Sequence, residues 1–138
     1  AIKNQQELSG KEIAYDRWQR YADTKLACAH FGRELDIRAK QASSRVKSVI
    51  AHPGWASTGL QVHYPTKLHV FAQTPAQGAR SQIRASIDRV EGGEFFAPNL
   101  ELWGKPKKIR GTKLSRDLQA SKDLWEMTEE LTGKFNIS

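Results

Sequence analysis

The chain has 138 residues and a mass of 15.6 kDa, the size of one ordinary domain able to bury a real core. With 38% hydrophobic and 27% charged residues it is neither a disordered tail nor a membrane span, and no stretch approaches the roughly 20 apolar residues that cross a bilayer. Its net charge is +7, with 22 Lys and Arg against 15 Asp and Glu, which raises the question of nucleic acid. The positive charge is spread along the chain, however. Its densest run, Lys105-Pro106-Lys107-Lys108-Ile109-Arg110 beside Lys113, is flanked by Pro and Gly and reads as a solvated loop. The expectation is no nucleic-acid partner. A single cysteine, Cys28, precludes a disulfide within the chain and leaves no zinc-type spacing. The opening Ala1-Ile2-Lys3-Asn4-Gln5-Gln6 lacks the apolar core of a signal peptide, and a cytoplasmic protein without a membrane span is expected.

Residues 1–14 are mostly polar and read as loop. Asp16 is a candidate N-cap for a helix from Arg17 to about Ala39, where Trp18, Tyr21, Ala22, Lys25, Leu26, Ala29 and Arg33 recur at spacings of three and four. Gln41-Ala42-Ser43-Ser44 breaks the pattern. Val46-Lys47-Ser48-Val49-Ile50-Ala51 is a β-branched run stopped by His52-Pro53-Gly54, a strand followed by a turn. Residues 53–64 read as loop, and Pro65 to about Ala72 as a short amphipathic helix. Thr74-Pro75 then reads as N-cap and first residue of a helix to about Asp88. Glu91-Gly92-Gly93 is a turn, and Glu94-Phe95-Phe96-Ala97 a short strand closed by Pro98-Asn99. Residues 99–113 read as one long loop. A last helix is expected from Ser115, as N-cap, to Leu131, with Gly133 just past its end and an apolar stripe of Leu118, Leu124, Trp125 and Leu131.

Two strands separated by helices imply parallel pairing through a crossover. Two short strands are too few for a doubly wound sheet, which is usually about five or six strands wide. The fold class expected is α/β, the C-terminal half of a Rossmann-type doubly wound parallel sheet.

Tyr21-Ala22-Asp23-Thr24-Lys25 carries the chemistry. On a helix, positions i and i+4 share a face. An ammonium one turn from a phenol favours the phenolate and helps it exchange a proton near neutral pH. That suits protonation of a carbonyl oxygen as hydride arrives, or the reverse. Composition alone produces such a pair about once in four chains of this kind, so a surface tyrosine lying along a lysine stem is the favoured reading of the pair by itself. Its context changes that. The strand that follows the helix ends in His52-Pro53-Gly54-Trp55-Ala56-Ser57-Thr58, and open α/β sheets bind ligands at the carboxyl ends of their strands.

Five segments, in order, resemble the short-chain dehydrogenase/reductase family, in the branch of the retinol-dehydrogenase-like and protochlorophyllide-reductase-like enzymes. They are Tyr15 to Ala27, Ile50 to Leu60, Thr74 to Ala79, Gly92 to Phe96 and Leu124 to Gly133. The resemblance covers nearly the whole chain, which would then be residues 1–138 of a partial catalytic domain. It implies an NAD- or NADP-dependent oxidoreductase that moves hydride between the nicotinamide and a carbonyl or alcohol carbon. Tyr21 would be the general acid/base, and Lys25 would hold the nicotinamide ribose. Pro53, Gly54 and Trp55 would line the nicotinamide, and Thr58 would bond its carboxamide or a phosphate oxygen. Trp55 and the segment from Tyr64 to Phe71 would shape the substrate mouth. Family members often dimerise through the helix that carries the tyrosine, so a homodimer is an expected partner arrangement.

The resemblance also implies a Gly-rich phosphate loop and a carbonyl-polarising serine. No such Gly pattern stands in this sequence, so the nucleotide-binding half is expected to be missing from it. The serine is expected upstream of Ala1, with Ser9-Gly10 fitting an intervening loop. The alternative is a non-catalytic fragment that acts only through helix-mediated association. Cys28 is expected to be a small buried hydrophobe. His30, His52, His63 and His69 lack metal spacing.

Overall fold

The computed structural model describes residues 15–57 and 72–137. The chain divides into two units, Ala1–Ser48 with Gly111–Ser138, and Val49–Arg110. The described elements form a mixed α/β fold of three α-helices and a small three-stranded mixed sheet.

Helix α1, Arg17–Gln41, opens the first unit. Asp16 caps it as expected: its Oδ1 accepts the backbone N–H groups of Trp18 at 2.8 Å and Gln19 at 3.0 Å. Those two bonds hold the Asp16 carboxyl below its ordinary range. Burial on α1 begins only at Ala29 and continues through His30, Glu34, Asp36 and Ala39. The expected apolar stripe is therefore corrected in its first half, where Trp18 and Tyr21 are exposed. The reason lies in the partner helix. Helix α3, Leu118–Thr132, meets the second half of α1. Phe31 stacks on Trp125 with centroids 5.1 Å apart, the Arg38 guanidinium lies 4.8 Å over the same indole, and Leu124 is buried beside it in the sequence. Leu118 and Leu131, predicted on that stripe, are exposed.

Helix α3 starts later than the Ser115 cap predicts. A 3-10 turn, Leu114–Arg116, precedes it, and Asp117 is the N-cap, accepting from the Ala120 N–H at 3.1 Å. Ser115 is buried inside that turn. Its hydroxyl donates to the Thr112 carbonyl at 3.0 Å, and its own carbonyl accepts from Arg33 Nε at 3.1 Å. With the Ser115 hydroxyl committed to Thr112, Asp117 is the next residue with a side-chain oxygen to accept a helix N–H. Gly133 ends α3 at φ +91, as expected.

The second unit is built on the sheet β1 (Ile50–Ala51), β2 (Phe95–Pro98) and β3 (Pro106–Ile109). Strands β1 and β2 pair in parallel, Ile50 with Phe95 and Ala51 with Phe96, as expected. Strand β3 corrects the sequence reading. It lies in the segment expected to be loop, and it pairs antiparallel with β2 from Phe95↔Ile109 to Pro98↔Pro106. The hairpin between them turns through Asn99, whose backbone N–H donates to Lys105 O at 2.9 Å and whose Oδ1 accepts the Lys105 N–H at 3.1 Å.

Helix α2, Pro75–Ile87, lies on this sheet. Thr74 and Gln77 form a reciprocal capping box at its start, with Pro75 in the first turn. Its buried face is Gly78, Ser81 and Ala85, all small. A Cβ on Gly78 would stand 2.7 Å from the Ala56 Cβ, so only glycine lets the helix come this near the segment after β1. Phe96 and Ala97 fill the core beneath.

Candidate functional site

Tyr21 and Lys25 share one face of α1, as their i, i+4 spacing requires. The Lys25 Nζ stands over the Tyr21 ring, 5.4 Å from its centroid. This is cation–π geometry, with the ammonium over the ring face. Tyr21 is 41% exposed, so its phenol reaches solvent and can meet a ligand. The helix is regular through this turn, and Thr24 donates its hydroxyl back to the Tyr21 carbonyl at 2.8 Å. The pair sits on a turn of helix that no other described helix covers with its aromatic core, which is formed further along at Phe31 and Trp125.

Pro53, Gly54 and Trp55 form the turn at the carboxyl end of β1 in the second unit. Gly54 has φ +74, the left-handed region that favours glycine. A Cβ there would lie 2.5 Å from the Leu102 carbonyl oxygen and 2.8 Å from both Gln73 Nε2 and Pro98 Cγ. The turn is held from three sides. Trp55 N–H donates to Leu102 O at 2.9 Å, and Trp55 O accepts from Gln73 N–H at 2.8 Å. Trp55 and Trp103 meet edge to face with centroids 5.8 Å apart.

Gln73 is the residue the sequence reading missed. It is buried, and its side-chain Nε2 donates to Pro53 O at 3.1 Å and to Leu102 O at 3.0 Å. One amide thus ties the turn after β1 to the β2–β3 hairpin. Its backbone also bridges to Ala56 and Ser57 in parallel. A polar residue just before the Thr74-Pro75 helix start is a faint signal, because such positions are normally solvated.

His52 completes the turn. The Gly54 N–H donates to its Nδ1 at 2.9 Å, which leaves Nε2 to carry the proton of a neutral ring. Loss of water around the ring pushes the imidazole below its ordinary value. His52 therefore acts as a neutral acceptor that shapes the backbone.

Thr58, Ser9 and the segment from Tyr64 to Phe71 lie outside the described residues. Tyr21 and Lys25 belong to the first unit, while Pro53, Gly54 and Trp55 belong to the second. Cys28 is exposed, which corrects the buried position expected for it; it points away from the face that Ala29 and His30 bury.

His30 and Ser121 offer a second arrangement that resembles chemistry. His30 Nδ1 lies 2.9 Å from Ser121 Oγ. Ser121 is 0% exposed, and its hydroxyl donates to the Asp117 carbonyl at 2.8 Å. Its proton is committed to the backbone, so Oγ must accept from His30 Nδ1–H. That polarity is the reverse of a serine activated by a histidine base. The pair is a structural joint between α1 and α3. No group of three or more His, Cys, Asp or Glu side chains among the described residues could hold a metal ion. No helix among the described residues is long and apolar enough to cross a membrane.

No family model matches the chain. No curated protein matches it either. Among solved structures, it is similar to the crystal structure of an uncharacterized protein from Mycobacterium paratuberculosis, with 26% sequence identity over 97% of this chain and a TM-score of 0.80. The chain spans 46% of the length of that protein.

Proposed function

We infer that this chain carries the catalytic helix and the nicotinamide-side loop of an NAD(P)-dependent oxidoreductase of the short-chain dehydrogenase type. In that reading the sheet is the C-terminal part of a Rossmann-type sheet, and a nucleotide-binding half completes it. The observation that carries the reading is the Tyr21–Lys25 pair, a solvent-reaching phenol with an ammonium 5.4 Å from its ring centroid on the same helical face. A second feature supports it. The parallel strand β1 ends in a turn whose backbone is fixed by Gln73 and Leu102, and such a turn can present flat backbone to a planar ring.

The residues would divide the work as follows. Tyr21 donates its phenolic proton to the substrate carbonyl oxygen as hydride reaches the carbon, and takes it back in the oxidation direction. Lys25 holds the ribose hydroxyls beside Tyr21. Pro53, Gly54 and Trp55 flank the nicotinamide, and Thr58 bonds its carboxamide. The bound NAD or NADP supplies the hydride.

The test uses a polypeptide that joins residues 1–138 to a nucleotide-binding half. Tyr21→Phe should lower the rate of NAD(P)H-dependent carbonyl reduction by about 100-fold to 10,000-fold while leaving cofactor affinity within about twofold. Turnover that survives Tyr21→Phe unchanged would falsify the assignment.

A further inference from the structure

The second unit holds a cleft that the proposed reaction does not use. Its volume is about 300 Å³, and Ala72, Gln73, Gln77, Arg80, Trp103 and Lys105 line it with Gly104. That volume is at the small end for ligand sites. Two of the lining side chains are cations, and no lining residue is acidic. Neither Arg80 nor Lys105 has an ion-pair partner among the described residues. In the same unit Arg84 pairs with Asp88 and Lys108 with Glu94, each at 2.6 Å, and neither carboxylate lines the cleft. Two unpaired cations on the wall of one concavity create a positive potential that an anion relieves.

The remaining lining sets the shape of that anion. Gln77 spends its Oε1 on the Thr74 N–H at 2.8 Å, so its amide NH₂ is left to donate. Trp103 places an indole in the wall, and its edge-to-face contact with Trp55 orients the ring. The floor is rigid. Gln73 is buried with both of its Nε2 donations made, and Gly104, at φ +107, has Asn99 Oδ1 where a side chain would start. A guanidinium takes a carboxylate through two parallel N–H···O bonds, and an indole takes a flat ring.

We propose that the cleft between the start of α2 and the β2–β3 hairpin binds a small aromatic carboxylate, with Arg80 and Lys105 on the carboxylate and Trp103 against the ring. The site is independent of hydride chemistry. It reaches the Pro53-Gly54-Trp55 turn through the Trp55–Trp103 contact and the Gln73 amide, so an occupied cleft would stiffen that turn.

The test is calorimetric titration of the 138-residue chain with 2-naphthoate and, as the uncharged control, 2-naphthamide. Saturable one-site binding of 2-naphthoate is expected, at least about tenfold tighter than the amide. The double substitution Arg80→Gln, Lys105→Gln should weaken it by at least about tenfold. Both residues are exposed, and an unchanged circular dichroism spectrum verifies the fold of the variant. In NMR spectra of the unsubstituted chain, the indole N–H of Trp103 should move on titration while that of Trp18 stays in place. Absence of saturable binding, equal affinity for acid and amide, full affinity in the folded double variant, or a still Trp103 signal would each overturn the proposal.

Discussion

Gly54→Ala isolates what holds the turn after β1. Two costs add at this position. An L-residue at φ +74 costs about 1–2 kcal/mol relative to glycine. The new methyl would also stand 2.5 Å from the Leu102 carbonyl oxygen, a backbone atom that accepts from both Trp55 N and Gln73 Nε2. It cannot give way without loosening those bonds, and overpacking of this kind costs about 1–3 kcal/mol. The loss should therefore reach about 2–5 kcal/mol, a large part of a typical domain stability of about 5–15 kcal/mol. Gly133→Ala is the matched control. It has φ +91 and ψ 162, backbone essentially confined to glycine, but nothing lies within 4 Å of its added Cβ, so only the conformational cost applies, about 1–3 kcal/mol. Urea unfolding is followed at the indole NMR signals of Trp55 and Trp103 for the second unit, which holds Gly54, and at that of Trp125 for the first, which holds Gly133. If Gly54→Ala loses no more stability than Gly133→Ala, the close packing of Gly54 on Leu102, Gln73 and Pro98 is refuted.

Two further outcomes follow from the joint between α1 and α3. Ser121→Ala leaves the buried His30 Nδ1–H without its acceptor and should cost about 1–3 kcal/mol; a thermal unfolding midpoint equal to that of the unsubstituted chain would show that the bond is absent. Acidity should act on the same place. Burial outweighs the raising influence of Asp117 and holds His30 below its ordinary value of 6.5. The unfolded chain then binds the proton more readily than the folded one, so stability is complete above pH 6.5 and falls as pH drops through the folded value. His30→Gln should flatten the part of this slope that His30 contributes, and a pH profile of urea midpoints unaltered by that substitution would contradict it.

Two of the three described helix starts were legible because each rests on a local bond. Asp16 and Thr74 are short side chains that accept from N–H groups two or three residues on, and neither needs tertiary contacts. The parallel pairing of Ile50 and Phe95 was legible from element order. Strand β3 was not, because Lys105-Pro106-Lys107-Lys108 carries none of the apolar alternation of a half-buried strand. It follows from its place at the sheet edge, where proline can stand at the first residue and lysines project to solvent. The exposure of Trp18 and Cys28 was hidden for another reason. Helical periodicity identifies a stripe but does not say how far along the helix its partner reaches, and α3 covers α1 only from Ala29 on. At the candidate site, the Tyr21–Lys25 adjacency is fixed by the helix itself. Gln73 is different: its two carbonyl partners, Pro53 and Leu102, come from separate parts of the chain and only the folded turn and hairpin bring them within reach.

The proposed role of Tyr21 and Lys25 in hydride chemistry is tested most directly by isotope transfer. Residues 1–138 joined to a nucleotide-binding half would be supplied with NADH or NADPH deuterated at C4 and an aldehyde mixture, and the alcohols analysed by mass spectrometry. Deuterium should appear on the alcohol carbon, and Tyr21→Phe should suppress it to background while the cofactor still binds. Bound cofactor with no deuterium in any product, or equal deuterium in the Tyr21→Phe protein, would contradict the account.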